Sequence, residues 1–234
     1  MSENNTTSID SFEQLEADIT GCRSCSRLVE WRELVAEEKR AAYRNEDYWG
    51  KPVPGFGDPL ARIVFLGLAP AAHGANRTGR VFTGDRSGDW LFRALYRAGL
   101  ANQPESLSLD DGLELRDAWV LAAVRCAPPA NKPTTQERDT CEPFLDREFA
   151  LLTNCAVVVC LGAFGYQAAC RHFNITPRPA FGHGVVVPVS DTHPALVCSF
   201  HPSQQNTFTG RLTEQMFDDV IEKASKIADS LTSS

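Results

Sequence analysis

Ile63-Val-Phe-Leu-Gly-Leu-Ala-Pro-Ala-Ala-His-Gly-Ala-Asn-Arg-Thr-Gly-Arg-Val-Phe-Thr-Gly-Asp85 opens on an uninterrupted apolar run and ends where a helical pattern begins, near Ser87. Four large apolar residues in a row, Ile63 to Leu66, predict a strand buried on both faces, as in parallel sheets. The connection that follows, Gly67 to Asp85, runs about 18 residues where βα loops usually take 2–6, and loops of such length tend to carry function. Gly67, Gly74, Gly79 and Gly84 permit close backbone approach or positive φ, and Arg77, Arg80 and Arg86 supply charge suited to phosphate. Neither Gly-x4-Gly-Lys-Ser/Thr nor Gly-x-Gly-x-x-Gly occurs in it, so it is not a triphosphate or dinucleotide loop.

Outward from this stretch the same alternation repeats. Apolar runs at 62–67, 118–124, 156–162, 184–189 and 195–200 read as strands. Helical patterns fall at 87–99, 135–152, 163–173 and 213–229, and two more precede the first strand. The earlier of these is capped by Asp10 or Ser11 and ends at Gly21; the later spans 27–47, with Leu28, Trp31, Leu34 and Val35 on one side. The segment from Lys51 to Pro59 is rich in Pro and Gly and reads as a loop. Strand–helix alternation predicts an α/β fold: a three-layer α/β/α sandwich around a central, mainly parallel sheet of about four strands. One domain is expected over 10–229, with tails at 1–9 and 230–234.

The chain has 234 residues, 43% of them hydrophobic, and a net charge of −7. That is an ordinary soluble composition without a membrane-spanning run or a secretory leader, and it predicts a cytoplasmic protein. The acidic total counts mildly against nucleic acid. The local density of arginine over residues 73–97 nevertheless allows it, because association follows the local field.

Eight cysteines fall into two groups. Cys22-Arg-Ser-Cys25 closes the first helix, Cys126 ends the second strand, and Cys141 follows after fourteen intervening residues. Four such thiols suffice for a structural zinc ion or an iron–sulfur cluster, and the spacing alone leaves both open. Cys155, Cys160, Cys170 and Cys198 lie among core-type residues and read as small hydrophobes.

A second constellation, Phe200-His-Pro-Ser-Gln-Gln-Asn-Thr-Phe-Thr-Gly-Arg211, again follows a strand. His201 sits just past the strand's carboxyl end, where open sheets place ligand-facing side chains. Gln204, Gln205 and Asn206 form a polar tip, and Arg211 suits phosphate. His172, His183 and His193 read as ordinary structural histidines. Asn131, in the loop after Cys126, has an amide able to read a base edge.

Taken together, Gly-Leu-Ala-Pro-Ala-Ala-His-Gly-x-Asn-Arg-Thr-Gly-Arg, Phe-Thr-Gly-Asp, His-Pro-Ser-x-x-Asn and the four cysteines closely resemble the uracil-DNA glycosylase superfamily, in its iron–sulfur branch called family 5 or type B. The resemblance covers about Cys22 to Arg211. It implies a monofunctional glycosylase of base-excision repair that acts on uracil and on other deaminated or modified bases such as hypoxanthine. It also implies a structural 4Fe–4S cluster on Cys22, Cys25, Cys126 and Cys141 in preference to zinc. Other branches carry a polar or acidic residue just after the first glycine, where this chain has Leu68 and Ala69; the resemblance moves the charge to Asp85.

The roles that follow are expectations. Asp85 stabilises the sugar cation and orients water, and His201 bonds the departing base. Phe82 stacks on the base, Asn131 bonds its edge, and Gly67 and Ala69 line the base site. Arg77, Arg80 and Arg211 hold the backbone, while Gln204, Gln205 and Asn206 fill the gap in the stack. DNA is the expected partner, with a monomeric protein, no membrane and no obligate protein partner. The alternatives are a binding module of the same fold that does not cleave, motivated by Ala69, and a zinc hydrolase using the four thiols. Four thiolates would leave such a zinc no open position.

Overall fold

The structure, a computed structural model, describes residues 10–232. The expected tail at 1–9 lies outside the described residues, as do the last two residues.

The long strands are β2 (Ile63–Gly67), β3 (Ala118–Ala122), β4 (Val157–Leu161) and β6 (Ala195–Ser199). All five residues of each are buried, as continuous apolar strands covered on both faces must be. They run parallel in the order β3-β2-β4-β6, with Phe65 beside Val120 on one side and Val159 on the other. Two antiparallel edge strands of two residues each, β1 (Phe56–Gly57) and β5 (Val186–Val187), complete a six-stranded sheet. The expectation of about four strands therefore holds for the parallel core, and the run read as a strand at 184–189 contains the edge strand β5. The other edge strand, β1, was missed: its two residues have no periodicity to read and lie inside the segment taken for a loop.

Side chains alternate between the two faces of each strand. Phe65, Val120, Val159 and Val197 meet α4 (Arg86–Arg97) and α8 (Glu214–Thr232) through Leu91, Phe92, Phe217 and Ile221. Val64, Leu121, Val158 and Leu196 meet α5 (Thr135–Leu151) and α6 (Gly162–His172) through Leu145, Phe149, Tyr166 and Ala169. Cys160, Cys170 and Cys198 are buried in this second layer and Cys155 packs against it, so they serve as the small hydrophobes expected of them.

The N-terminal helices are α1 (Phe12–Gly21), capped by the Ser11 hydroxyl, and α2 (Ser26–Glu38). The latter is shorter than the span 27–47 and presents a different face. Leu28, Val29, Arg32 and Val35 are buried, whereas Leu34 is exposed. At the other end, α8 continues to Thr232, three residues into the expected tail.

From β2 the chain goes to β3 on one side, then crosses to β4 on the other. The carboxyl end of β2 is thus the point where the winding reverses and a crevice opens. The Gly67–Asp85 loop leaves from there, and contains the short helix α3 (Ala75–Thr78).

Candidate active site

One cavity of about 210 Å³ opens at this reversal point, lined by Leu68, Ala69, Ala71, Phe82, Asp85, Ser87, Asn131 and His201. Three separate strand ends therefore deliver Asp85, Asn131 and His201 to a single space.

Asp85 is the N-cap of α4. Its Oδ1 accepts from the backbone N–H of Ser87 at 2.8 Å and of Gly88 at 3.3 Å. Burial pushes its carboxyl above the usual carboxylate range, and the two helix-terminal N–H groups pull the other way. Oδ2 lies against Gly74, where a Cβ would come within 2.4 Å, so only glycine leaves room for it. Among the described residues no cation pairs with Asp85, so its charge remains available to the cavity.

Phe82 adopts φ +56, a left-handed conformation uncommon outside glycine, and its carbonyl lies where a Gly88 Cβ would stand. The ring rests on Gly67, where a Cβ would be 2.6 Å from Cζ, and stacks on the His201 ring with 5.8 Å between centroids. Gly67 thus contributes by making room for Phe82 rather than as a wall of the cavity.

His201 stands beside Gly162, whose φ is +89, and its backbone carbonyl accepts from Asn206 Nδ2 at 2.9 Å. Burial pushes its pKa down to about 4, so the ring is neutral at physiological pH. Asn131 lies exposed at the cavity rim in a left-handed conformation, φ +55.

Several side chains expected to contact DNA have partners within the protein. Arg80 is buried and engaged on three sides, by Asp111 at 2.8 Å, the Leu109 carbonyl at 2.7 Å and Ser106 at 3.1 Å. Arg77 donates to the carbonyls of His73 and Gly84, at 3.0 and 3.2 Å, pairs with Glu46 and covers the Tyr43 ring. Both brace the loop, Arg77 on the residue before Asp85, and neither offers a free guanidinium to phosphate. The Asn206 amide gives one of its two N–H groups to the His201 carbonyl. Gln204 and Gln205, in α7 (Gln204–Phe208), remain exposed, and exposed Arg211 lies over the Phe200 ring at 4.5 Å.

Beside them is a residue the sequence reading missed. Phe208 is 64% exposed, and the Arg86 guanidinium lies 4.3 Å over its ring. An aromatic next to a polar tip gives no local sign of whether it points inward or outward.

A second cavity is lined by Cys22, Cys25, Cys126 and Cys141 together with Leu28, Arg32 and Arg125. Burial pushes Cys126 up to about 12 and Cys141 up to about 11, so as free thiols they are neutral, and the thiolate forms need a compensating cation. Arg32 Nε and Arg125 Nε and Nη1 are buried without partners. Among the described residues no three His, Cys, Asp or Glu side chains close on one point as a single ion demands. Thiols and orphaned N–H donors around a shared space suit a larger group with acceptor atoms of its own, and an iron–sulfur cluster has these in its sulfides.

Comparison with known proteins agrees with this geometry. Residues 54–225 match the family model for the uracil DNA glycosylase superfamily. The chain is 53% identical over 218 residues to the type-5 uracil-DNA glycosylase of Mycobacterium tuberculosis, covering 92% of this chain and 81% of that one. It is 50% identical over 211 residues to the type-5 enzyme of Thermus thermophilus, covering 90% and 95%. With the type-5 enzyme of Pyrobaculum aerophilum it shares 44% over 206 residues, 88% of each chain. A part-buried carboxylate and a neutral histidine converging on one recess at the sheet's reversal point, in a sequence half identical to such enzymes along nearly its whole length, place the chain in the uracil DNA glycosylase superfamily, among the type-5 enzymes.

Proposed function

We propose that the protein excises uracil from DNA by hydrolysing its N-glycosidic bond, leaving an abasic site, as a step of base-excision repair. The observation that carries the reading is the single cavity shared by Asp85, Asn131 and His201. A base inside a duplex cannot reach these groups, so the nucleotide is flipped out at a cost of a few kcal/mol. Phe82 packs on the extruded ring and the Asn131 amide bonds its edge. As the bond between C1′ and the base breaks, its electron pair leaves with the base and positive charge develops on the sugar. The Asp85 carboxylate stabilises that charge, orients the attacking water and takes its proton. Neutral His201 donates a hydrogen bond to the oxygen on which the base's negative charge collects, and such placed donors are among the largest catalytic contributions.

The walls Leu68, Ala69 and Ala71 bring no hydrogen-bonding side chain, so the recess selects weakly by pattern. We extend the substrate range on that ground to other deaminated bases, hypoxanthine among them. Gln204, Gln205 and the exposed Phe208 face the strand gap, with Arg211 on phosphate. Cys22, Cys25, Cys126 and Cys141 hold a 4Fe–4S cluster with a structural role; when bound it supplies rigidity between the N-terminal helices and the loop that carries Asn131. The protein acts as a monomer. Among the described residues no helix is long and apolar enough to cross a membrane.

The experiment is excision from a labelled duplex carrying one uracil, followed by alkali. Scission only after alkali supports a monofunctional glycosylase. Binding without scission, in protein with its iron intact, would favour a module that recognises the base without cleaving it.

A further inference from the structure

Arg32, Arg80 and Arg125 are the buried arginines among the described residues, and they are not equivalent. Arg80 pairs with buried Asp111, and Arg125 pairs with Glu148, both partners being 1% exposed in the latter case. Arg32, 2% exposed, has no buried carboxylate. Its nearest is Glu33 at 4.0 Å, a half-exposed side chain engaged by Arg23. The Arg32 guanidinium instead points Nη1 at Cys126 Sγ, 2.9 Å away, gives Nη2 to the Cys22 carbonyl at 3.1 Å, and leaves Nε without a partner. A buried charge is retained only where an opposite charge or a strong hydrogen-bonding partner meets it. The side chain is thus aimed at the one place in its surroundings where negative charge can be installed from outside the chain.

The backbone of the same residue leads elsewhere. The Arg32 carbonyl accepts from Asn76 Nδ2 at 3.2 Å, and Asn76 is fully buried in α3, within the loop that ends at Asp85. The next residue, Arg77, holds the carbonyl of Gly84.

We infer that Arg32 is the permanent counter-charge of the cluster held by Cys22, Cys25, Cys126 and Cys141, and the strut that joins the cluster to the catalytic loop. The inference rests on the reading that these cysteines hold an iron–sulfur cluster. A cubane ligated by four thiolates carries net negative charge, which Arg32 compensates at close range through Cys126. Hydrogen bonds and charge beside the ligating sulfurs set both the potential of such a cluster and its retention. Arg32 is a positioning residue and touches no reacting atom.

The test uses the full chain purified without oxygen, as wild type, Arg32→Gln and Arg32→Lys. The readouts are iron content, reduction midpoint potential and the rate at which visible absorbance bleaches in chelator. In R32Q the midpoint moves to more negative values and bleaching accelerates about tenfold or more, the usual scale of lost outer-shell partners. R32K keeps the charge and stays near wild type in potential. R32Q that folds but retains no iron, beside iron-loaded R32K, supports the inference equally. R32Q with wild-type potential and bleaching overturns it, and so does an R32K protein as iron-poor as R32Q. Wild-type protein that holds zinc in place of iron defeats the cluster reading itself, a distinct result. The strut is tested by Asn76→Ala, which slows excision at unchanged potential; unchanged excision removes that half of the inference.

Discussion

The two cavities mirror each other in charge. In the base recess a carboxylate, Asp85, is part-buried and, among the described residues, has no cation; beside the cysteines a guanidinium, Arg32, is buried and, among the described residues, has no buried carboxylate. Elsewhere the chain closes such charges internally, as in the Arg80–Asp111 and Arg125–Glu148 pairs. The difference teaches that a buried charge left open marks a place where something foreign completes the structure. On the proposed function that is, at Asp85, a cation lasting no longer than the transition state and, on the role inferred for Arg32, an anion that stays.

The largest effect is expected at the open carboxylate. Asp85→Asn should lower single-turnover excision about 10³-fold, the upper range for removing one preorganised electrostatic group. Asn caps a helix as well as Asp, and burial already disfavours the charged form here. The same variant should therefore melt no lower than wild type, and higher at neutral pH. A parallel loss of melting temperature and rate would show Asp85 to be structural and break the comparison.

His201→Ala should follow, with excision reduced about 10²-fold at retained DNA affinity, measured by single-turnover rate and by binding. Because the ring stays neutral down to about pH 4, the wild-type rate should show no inflection near 6.5. Its acid limb should instead follow the raised pKa of Asp85. For stability the sign is fixed by linkage. Between its ordinary 6.5 and about 4 the histidine binds more protons unfolded than folded, so stability falls as pH drops through that window. H201A should flatten this part of the melting-temperature profile.

The closed charge should behave oppositely. Arg80→Ala strands Asp111 and should cost about 3 kcal/mol or more of stability, read by denaturant unfolding, since breaking a buried pair leaves an unpaired charge. The smallest effect belongs to Arg211→Ala: unchanged melting, slightly weaker DNA binding, and a salt slope reduced by about one counterion. Weaker binding by R80A at intact stability would restore Arg80 as a phosphate contact.

These contrasts also separate what was legible from what was not. The four long strands were readable because each is an apolar run buried on both faces. The convergence of Asp85, Asn131 and His201 was readable because parallel strands deliver their following loops to one end of the sheet. The internal partners of Arg80 and Arg77 were not legible, because an arginine in a glycine-rich loop looks the same whether it faces a phosphate or a carboxylate of its own chain. Arg32 gave no signal at all, standing in a charged helix whose buried face is set by the cysteines at its N-terminus and by α3.

By itself, then, the amino-acid order determined the sheet, its direction, the end at which the site lies and the residue types gathered there, since these follow from local hydrophobic patterns and the handedness of crossovers. Only the tertiary structure decided which charges are paired and which are left open. Burial and partnership are properties of the space between distant segments: Arg32 meets Cys126 across 94 positions of chain, and no window of sequence contains both.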